Sequence, residues 1–267
     1  MRLMKYTVLG GDLRNVKLAE SISADGNKVK LYGFKKADII IGPIPCSNDN
    51  EILNAPFHNA KIQMVDVLEK IKGNQLFIAG RISERISQIA ENYNICIIDI
   101  LEREEMAVLN AIPTAEGAIQ IIMEEMPITI NGSKIMILGF GRISKILSRM
   151  LSGFGAEIYI GARKYSDIAW INAYGQKPVY ISLLKKYISN MDVVINTVPY
   201  RILDSTALDN VGEDCLIIDL ASKPGGVDLD YAKELGIKVI WALSLPGKVA
   251  PVTAANFIKQ TVYNIIE

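Results

Sequence analysis

Histidine and cysteine are scarce in this sequence. His58 is the single histidine among 267 residues, and Cys46, Cys96 and Cys215 lie far apart, with no CxxC pair and no histidine at ligand spacing. These absences argue against a zinc site and against a disulfide framework. We therefore expect no metal site and three reduced thiols in the core, and we expect His58, in a loop, to lie on the surface rather than to act in catalysis.

The chain also lacks an excess of either charge and a long apolar run. Lys plus Arg and Asp plus Glu both total 29, so the net charge is zero and gives no support to nucleic acid or an acidic membrane surface as a partner. No segment reaches the roughly 20 apolar residues of a membrane helix. The stretch from Met1 to Lys5 does not begin a signal peptide. We expect a soluble, cytoplasmic protein.

Half of the residues are hydrophobic, and the length suits two domains. Short, continuously apolar strands alternate with amphipathic helical stretches, which is typical of parallel sheets covered by helices on both faces. The predicted fold class is α/β, with two Rossmann-like doubly wound parallel-sheet domains. The predicted strands are 6–10, 29–34, 38–42, 76–80 and 95–100 in the first half, and 134–141, 156–162, 192–198, 215–221 and 238–243 in the second.

A glycine-rich turn follows the first strand of the second half. Gly139 suits a tight turn, Gly141 lets the backbone approach a pyrophosphate, and Ser144 is small enough for the helix to pack on the strand. The helix beginning near Arg142 and Ile143 would direct its first amides at the phosphates. Because this turn opens a full βαβ unit, we predict dinucleotide binding. The alternative is a glycine turn that merely packs a strand on a helix.

The next strand ends in basic residues, where NAD-binding proteins usually carry an acid that accepts hydrogen bonds from the ribose. Arg163 would hold a 2′-phosphate bidentately, with Lys164 adding charge and Ser166 a hydroxyl. The predicted cofactor is NADP(H). A solvated basic turn is the alternative.

Loops after later strands are further candidates, because ligands bind at the carboxyl edge of such sheets. We expect the turn from Asn196 to Pro199, with Thr197 and Val198 between them, to close the crevice beside the nicotinamide half of the cofactor, unless it is only a structural turn. Lys223 in the 221–226 loop and Lys248 in the 245–255 loop are predicted to add cations near the same rim.

Residues 113–126 are predicted to form a helix that joins the two halves and begins at Pro113. Glu116 is then either a first-turn acid favoured by the helix dipole or a functional carboxylate. In the first half, Arg14 follows a degenerate nucleotide loop and would bind a substrate carboxylate or form an interdomain ion pair. The predicted domains are 1–128 for substrate or partner, 129–248 for NADP and 249–267 as a helix packing back on the first.

The motifs GGDLR, NAIPTAEG, LGFGR, GAR, NTVP, DLASKPGG and LPGKVAPVTA, in this order along nearly the whole chain, resemble the family of dipicolinate synthase A-subunits from spore-forming bacteria. The resemblance implies an N-terminal α/β domain and a C-terminal NADP-binding Rossmann domain. It also implies a flavoprotein-like partner, the B-subunit of dipicolinate synthase, and oxidation of a dihydrodipicolinate-type substrate to pyridine-2,6-dicarboxylate in the mother cell during sporulation. We expect a homo-oligomer as well.

That chemistry suggests roles for four residues. A dicarboxylate substrate needs cations at both ends, for which Arg14, Lys223 and Lys248 are candidates, and Glu116 is the candidate proton acceptor. The family loop reads Ser-Arg-Pro-Gly-Gly, whereas this chain has Lys223, which lacks the bidentate grip of arginine. Two alternatives stay open: an NADP-dependent enzyme acting on another small carboxylate, and an NADP-binding scaffold or regulatory subunit. The absence of histidine from the second half argues against 2-hydroxyacid dehydrogenase chemistry.

Overall fold

The computed structural model describes residues 4–32, 34 and 37–267, and its chain divides into two compact units. The first unit comprises Met1–Asn110 together with Pro246–Glu267, and the second comprises Ala111–Leu245. The division falls inside a helix rather than at the predicted 128/129 boundary, because one continuous helix contributes turns to each unit. The last segment begins at Pro246, so Lys248 belongs to the first unit.

Parallel strands and helices alternate along the first unit. Its five-stranded sheet, within the described residues, has the order β2-β1-β3-β4-β5 with every pair parallel. Gly33, part of the predicted strand 29–34, lies outside the described residues. The elements are β1 (Lys5–Val8), α1 (Leu13–Ala24), β2 (Lys28–Leu31), β3 (Ile39–Ile41), α2 (Met64–Glu69), β4 (Leu76–Ala79), α3 (Glu84–Asn92), β5 (Cys96–Asp99), a 3-10 turn (Ile100–Glu102) and α4 (Glu104–Glu125).

The second unit repeats the alternation with a six-stranded parallel sheet, of order β11-β10-β9-β6-β7-β8 among the described residues. Its elements are β6 (Lys134–Leu138), α5 (Arg142–Gly153), β7 (Glu157–Ala162), α6 (Tyr165–Ala173), β8 (Lys177–Tyr180), a 3-10 turn (Ile181–Leu183), α7 (Leu184–Ile188), β9 (Val193–Asn196), α8 (Ser205–Leu208), β10 (Leu216–Asp219), α9 (Leu229–Glu234) and β11 (Val239–Trp241). The chain ends with α10 (Leu245–Val249) and α11 (Pro251–Ile266). Both sheets confirm the doubly wound α/β class.

Alternate residues of the first sheet enter two separate cores. Ile40 and Phe77 pack in a cluster with residues of α2 and α3, while Ile39, Ile41 and Ile78 pack on the other face with α1 and α11. Sheet residues are therefore buried on both sides, which explains why the strand sequences are apolar throughout.

The helix α4 differs from the helix predicted at 113–126. Pro113 lies inside α4, not at its first position, and Thr114 beside it is buried. A proline lacks the N–H that would bond the carbonyl four residues earlier. The helix nevertheless continues, since Ala111, Ala115 and Ala118 on both sides of the proline are buried. Glu116 is consequently an exposed mid-helix residue and not a first-turn acid.

By length and composition, α4 is apolar enough to cross a membrane. Its 22 residues have a mean hydropathy of 1.3 in the most apolar window, half of which is buried within the protein. The sequence does not predict α4 as an apolar helix of membrane-spanning length, because Glu116 interrupts the apolar residues between positions 111 and 123. A core helix of a globular protein meets the same criteria.

The three thiols are in different environments. Cys46 and Cys215 are buried, and burial raises the pKa of both thiols to about 12. Cys96 is exposed, so the prediction of three core thiols is wrong for this residue. It begins β5, the edge strand of the first sheet, where one side of the strand has no neighbour among the described strands.

Helix α11 is held on the first unit by a polar contact at the end of α1. Lys259 Nζ and Tyr263 Oη donate hydrogen bonds of 2.8 and 2.9 Å to the Asp25 carboxylate. These bonds, chiefly the one from Lys259, hold the pKa of Asp25 below its usual value. A carboxyl group with a lowered folded-state pKa stabilises the fold above its unfolded-state pKa and loses that effect as the pH falls through the folded-state value.

We accordingly expect Asp25→Asn to lower the unfolding temperature at pH 7, because the amide cannot replace the charged acceptor. The difference from the parent chain should shrink as the pH falls below about 4, the ordinary pKa of aspartate. Thermal unfolding, monitored by circular dichroism between about pH 2.5 and 7, measures this difference in unfolding temperature. Asp66→Asn, at an exposed position of α2, is the control. A deficit that persists unchanged at the acid end of this range would refute the charge-dependent contact.

Candidate functional site

The turn after β6 has the backbone geometry that a glycine-rich phosphate loop requires. Gly139 has a φ of +96°, a conformation that side chains rarely adopt. A Cβ atom at Gly139 would lie 2.7 Å from both Thr197 Oγ1 and Val198 Cγ2. The first glycine of the motif is therefore required by the protein itself, for the turn to close against the loop after β9.

This turn lies where the strand order of the second sheet reverses. β6 pairs with β9, and Leu138 at the end of β6 is level with Asn196 at the end of β9. Thr197 donates to the Leu138 carbonyl oxygen from its N–H (3.0 Å) and its hydroxyl (2.8 Å). Dinucleotides bind in the crevice outside such a switch point. The structure thus brings Gly139, Thr197 and Val198 together, while Pro199 follows them and is exposed.

The second glycine has a different environment. Gly141 precedes α5 as its N-cap, and no side chain caps the helix there. A Cβ atom at Gly141 would have no heavy atom within 4 Å among the described residues. Open space at an uncapped helix N-terminus suits a pyrophosphate, which the first amides of the helix would bind. Arg142 is exposed and Ile143 half-buried at this opening, while Ser144 is fully buried as the small third residue.

The end of β7 is cationic and open. Arg163 and Lys164 follow the strand directly and are exposed, and neither side chain forms a hydrogen bond or ion pair with the residues that the structure describes. Ser166 is also exposed, in the first turn of α6. Two cations and a hydroxyl are therefore available to an anion at the position where a ribose binds in this fold.

Two buried polar residues lie at the same edge, of which the sequence predicts a site position for Asn196, in the Asn196–Pro199 turn, but not for Asp219. Asn196 and Asp219 are the last residues of β9 and β10 and are 0% and 1% exposed. Asn196 Nδ2 donates to Asp219 Oδ1 at 2.8 Å. The signal in the sequence was a polar residue closing each of two otherwise apolar strands, VVIN and LIID. Lys223 lies beyond this pair, exposed, in the loop after β10.

The other predicted residues are divided between the two units. Glu116 and Lys223 belong to the second unit, whereas Arg14 and Lys248 belong to the first. Arg14 is buried, and its Nη2 lies 2.9 Å from Asp12 Oδ2 and also donates to the Ile44 carbonyl oxygen. Its ion-pair partner is thus in its own unit.

Arg14 and Gly247, which precedes Lys248, come together within the first unit although they are more than two hundred residues apart in sequence. Gly247 lies so close to the ion pair that a Cβ atom there would be 2.4 Å from Asp12 Oδ2 and 3.0 Å from Arg14 Nε. Helix α10 therefore rests on the Asp12–Arg14 pair, and the next residue, Lys248, is exposed.

His58 lies on the surface, as expected. Its ring is exposed, its Nδ1 contacts the backbone of Ala60, and it packs at a tilt against Tyr32, with ring centroids 5.4 Å apart. These contacts all lie within the first unit.

Comparison with known proteins supports the two-domain organisation. Residues 5–101 match the model of the N-terminal domain of the dipicolinate synthase A-subunit, and residues 114–223 match that of the D-isomer specific 2-hydroxyacid dehydrogenase NAD binding domain. The dipicolinate synthase A-subunit of Bacillus subtilis (strain 168) is 29% identical over 284 residues, which cover 98% of this chain and 96% of that protein.

Solved structures agree over the same length. The crystal structure of the dipicolinate synthase A-subunit from Bacillus halodurans has a TM-score of 0.90 at 29% identity, covering 98% of this chain and 97% of that one. The A chain of dipicolinate synthase from Bacillus subtilis has a TM-score of 0.89 at 28% identity, covering 100% and 96%. A transhydrogenase from Sinorhizobium meliloti, 15% identical with a TM-score of 0.72 and covering 97% and 84%, shares the fold.

The sequence motifs, the N-terminal domain match and the full-length likeness agree. The second unit is a dehydrogenase-type domain for a nicotinamide dinucleotide, and the chain resembles the dipicolinate synthase A-subunits over nearly its whole length.

Proposed function

We propose that this chain is the NADP-dependent oxidoreductase component that works with the B-subunit of dipicolinate synthase to oxidise a dihydrodipicolinate-type substrate to pyridine-2,6-dicarboxylate. The names of its relatives support the reaction. The exposed Arg163 and Lys164 at the end of β7 carry the choice of NADP over NAD, since two cations favour a 2′-phosphate at a place where NAD-binding domains use an acid. The proposed place of action is the cytoplasm of the mother cell.

The proposed roles of the residues follow from their chemistry. NADP⁺ supplies the hydride acceptor when bound. The amides at the start of α5, which Gly141 leaves accessible, bind the pyrophosphate, and Arg163 binds the 2′-phosphate. Lys223 and Lys248 each bind a substrate carboxylate, and Glu116 takes the proton that leaves the ring. Loss of a hydride and a proton makes the ring aromatic, so the stability of the product supplies much of the driving force.

Arg14 has a supporting role in this proposal. Its guanidinium is buried and neutralised by Asp12, so little of its charge is left for a substrate. The ion pair instead forms the surface on which Gly247 rests, and it thereby fixes the helix that carries Lys248.

The test is titration of the purified chain with NADPH and NADH by calorimetry, followed by NADP⁺ with freshly generated dihydrodipicolinate. The proposal predicts tighter binding of NADPH than of NADH, and formation of pyridine-2,6-dicarboxylate that increases when the B-subunit is added. Equal affinities would refute the cofactor choice. Turnover of another small carboxylate, but not of dihydrodipicolinate, would support the oxidoreductase activity and refute the proposed substrate.

A scaffold function is the second candidate, favoured by the shortage of acid–base groups. The single histidine is exposed, and Glu116 occupies an exposed mid-helix position. In this case the chain binds NADPH and regulates its partner, and the chemistry takes place on the B-subunit. Glu116→Gln separates the two candidates: it should slow turnover strongly if Glu116 is the proton acceptor, and leave it unchanged if the chain is a scaffold.

A further inference from the structure

Two loops at the carboxyl edge of the second sheet are fastened by one buried pair of side chains. Asn196 and Asp219 lie opposite one another in the register of β9 and β10, and both are buried. One loop, 197–199, follows Asn196. The other, 221–226, follows Asp219 and carries Lys223. Each side chain is thus at the base of a loop that the proposed function uses.

The Asp219 carboxylate bonds to both ends of its own loop and to the neighbouring strand. Oδ1 accepts from Asn196 Nδ2 at 2.8 Å and from the Ala221 N–H at 3.0 Å, while Oδ2 accepts from the Gly226 N–H at 2.8 Å. The carboxylate therefore closes the 221–226 loop, in which Lys223 is exposed. Three donors also satisfy a carboxylate that would otherwise be costly to bury.

The Asn196 side chain shapes the other loop. Its Nδ2 donates to the Val198 carbonyl oxygen at 2.9 Å, and its Oδ1 accepts from the Val198 N–H at 3.2 Å. Gly226 adds a third connection, because its carbonyl oxygen accepts from the N–H groups of Ile202 and Leu203. The two loops are therefore linked through the Asn196–Asp219 pair, and Gly226 is also bonded to the segment that follows the 197–199 loop.

Gly226 fits this arrangement closely. A Cβ atom at Gly226 would lie 2.1 Å from Asn196 Nδ2 and 2.7 Å from the Val198 carbonyl oxygen. Any side chain at this position would push the Asn196 amide away from Asp219. The pair and the loop therefore depend on one another for their packing.

We propose that Asn196 and Asp219 are positioning residues for dicarboxylate recognition. They hold Lys223 at a fixed place relative to Val198, beside the crevice, so that the Lys223 ammonium meets a substrate carboxylate without first ordering its loop. A cation on a fixed loop binds a carboxylate more tightly than the same cation on a mobile loop, because binding does not then have to include the free-energy cost of ordering the loop. This inference rests on the proposed function and deepens it, since it assigns residues that act through Lys223.

A double-mutant cycle measures whether the contribution of Asp219 to dicarboxylate binding depends on Lys223. The probe is pyridine-2,6-dicarboxylate, titrated by calorimetry into the full chain saturated with NADPH. Asp219→Asn replaces one carboxylate oxygen with an amide nitrogen, which cannot accept the hydrogen bonds that Asp219 now receives. We expect dicarboxylate binding to weaken about tenfold, the order expected when buried donors lose their acceptor. NADPH affinity should change by less than about threefold, because its phosphate contacts follow β6 and β7. In a Lys223→Ala background, Asp219→Asn should add less than about twofold, since the residue acts through the lysine.

Matched controls separate positioning from general damage. Asp192→Asn removes another half-buried carboxylate of the same sheet, which accepts from the Lys134 N–H at 2.7 Å at the opposite, amino edge. It should leave dicarboxylate affinity unchanged. Gly226→Ala displaces the pair without altering charge, so it should weaken dicarboxylate binding as Asp219→Asn does. It provides the test in case Asp219→Asn folds poorly. Gly153→Ala, where a Cβ atom meets nothing within 4 Å among the described residues, is its control.

The possible results distinguish this inference from the proposed function. Additive losses in the cycle, or equal losses for Asp192→Asn and Asp219→Asn, would overturn the positioning role while leaving the proposed function in place. A parent chain that binds NADPH but no pyridine-2,6-dicarboxylate would overturn both. Coupled losses, together with unchanged NADPH affinity, would establish the pair as acting through Lys223.

Discussion

Replacing Gly141 with valine should abolish binding of both NADPH and NADH while leaving the chain folded. Gly141 has an extended φ of −93°, and a Cβ atom there would meet nothing within 4 Å in the described structure. The valine therefore fits the protein without a steric clash, but occupies the space in which the pyrophosphate would approach the first amides of α5. We expect affinity to fall more than about 100-fold for both cofactors, which corresponds to roughly 2.7 kcal/mol or more.

Calorimetric titration and thermal unfolding of the same samples test this prediction. Gly139→Ala is the informative contrast: with a φ of +96° and contacts of 2.7 Å to Thr197 and Val198, it should lower the unfolding temperature, which Gly141→Val should not. Gly153→Val, at the other end of α5, controls for valine in this helix. Normal cofactor binding by Gly141→Val would remove this turn from the site.

Arg163→Ala should change the preference between cofactors rather than abolish binding. Arg163 is exposed and has no partner among the described residues, so its loss leaves nothing unpaired in the protein. A hydrogen-bonded ion pair with the 2′-phosphate would be lost. The expected penalty on NADPH is about 1.5 to 3 kcal/mol, the range for hydrogen bonds to charged groups, while NADH affinity stays nearly constant.

The measurement is the ratio of NADPH to NADH dissociation constants, at low and at high salt because screening weakens such a contact. Arg149→Ala removes another exposed arginine of the second unit, on α5, and should leave the ratio unchanged. If Arg163→Ala lowers the affinities for NADPH and NADH equally, Arg163 has a structural role, and the proposed preference for NADP is refuted.

The sequence predicts the fold class because burial on both faces makes the strands continuously apolar. It misses β8, Lys177–Tyr180, which contains Pro178 and begins with a charged residue. β8 is the edge strand of the second sheet, and a proline is tolerated there because the strand bonds to one neighbour only among the described strands. In β8, Lys177 and Pro178 replace the continuous apolar pattern that marks the predicted strands.

The site is predictable where its residues lie in one local motif, as with Gly139, Gly141 and Arg163. It is not predictable where distant segments meet. No local pattern shows that Gly247 rests on the Asp12–Arg14 pair, or that Asn196 and Asp219 face one another. Nor does propensity reveal that α4 continues through Pro113, because burial of the alanines around it outweighs the lost hydrogen bond.

The discontinuous first unit has a consequence for folding during synthesis. Residues 111–245 form a unit that is continuous in sequence, whereas the first unit needs Pro246–Glu267, whose Ala255, Ile258 and Val262 share a core with Leu18 and Ile22. On the ribosome the first sheet emerges early but lacks these side chains until Pro246–Glu267 has also been synthesised. The first unit therefore completes its core only after the second unit has been synthesised, and the second unit can fold before α11 is available to the first.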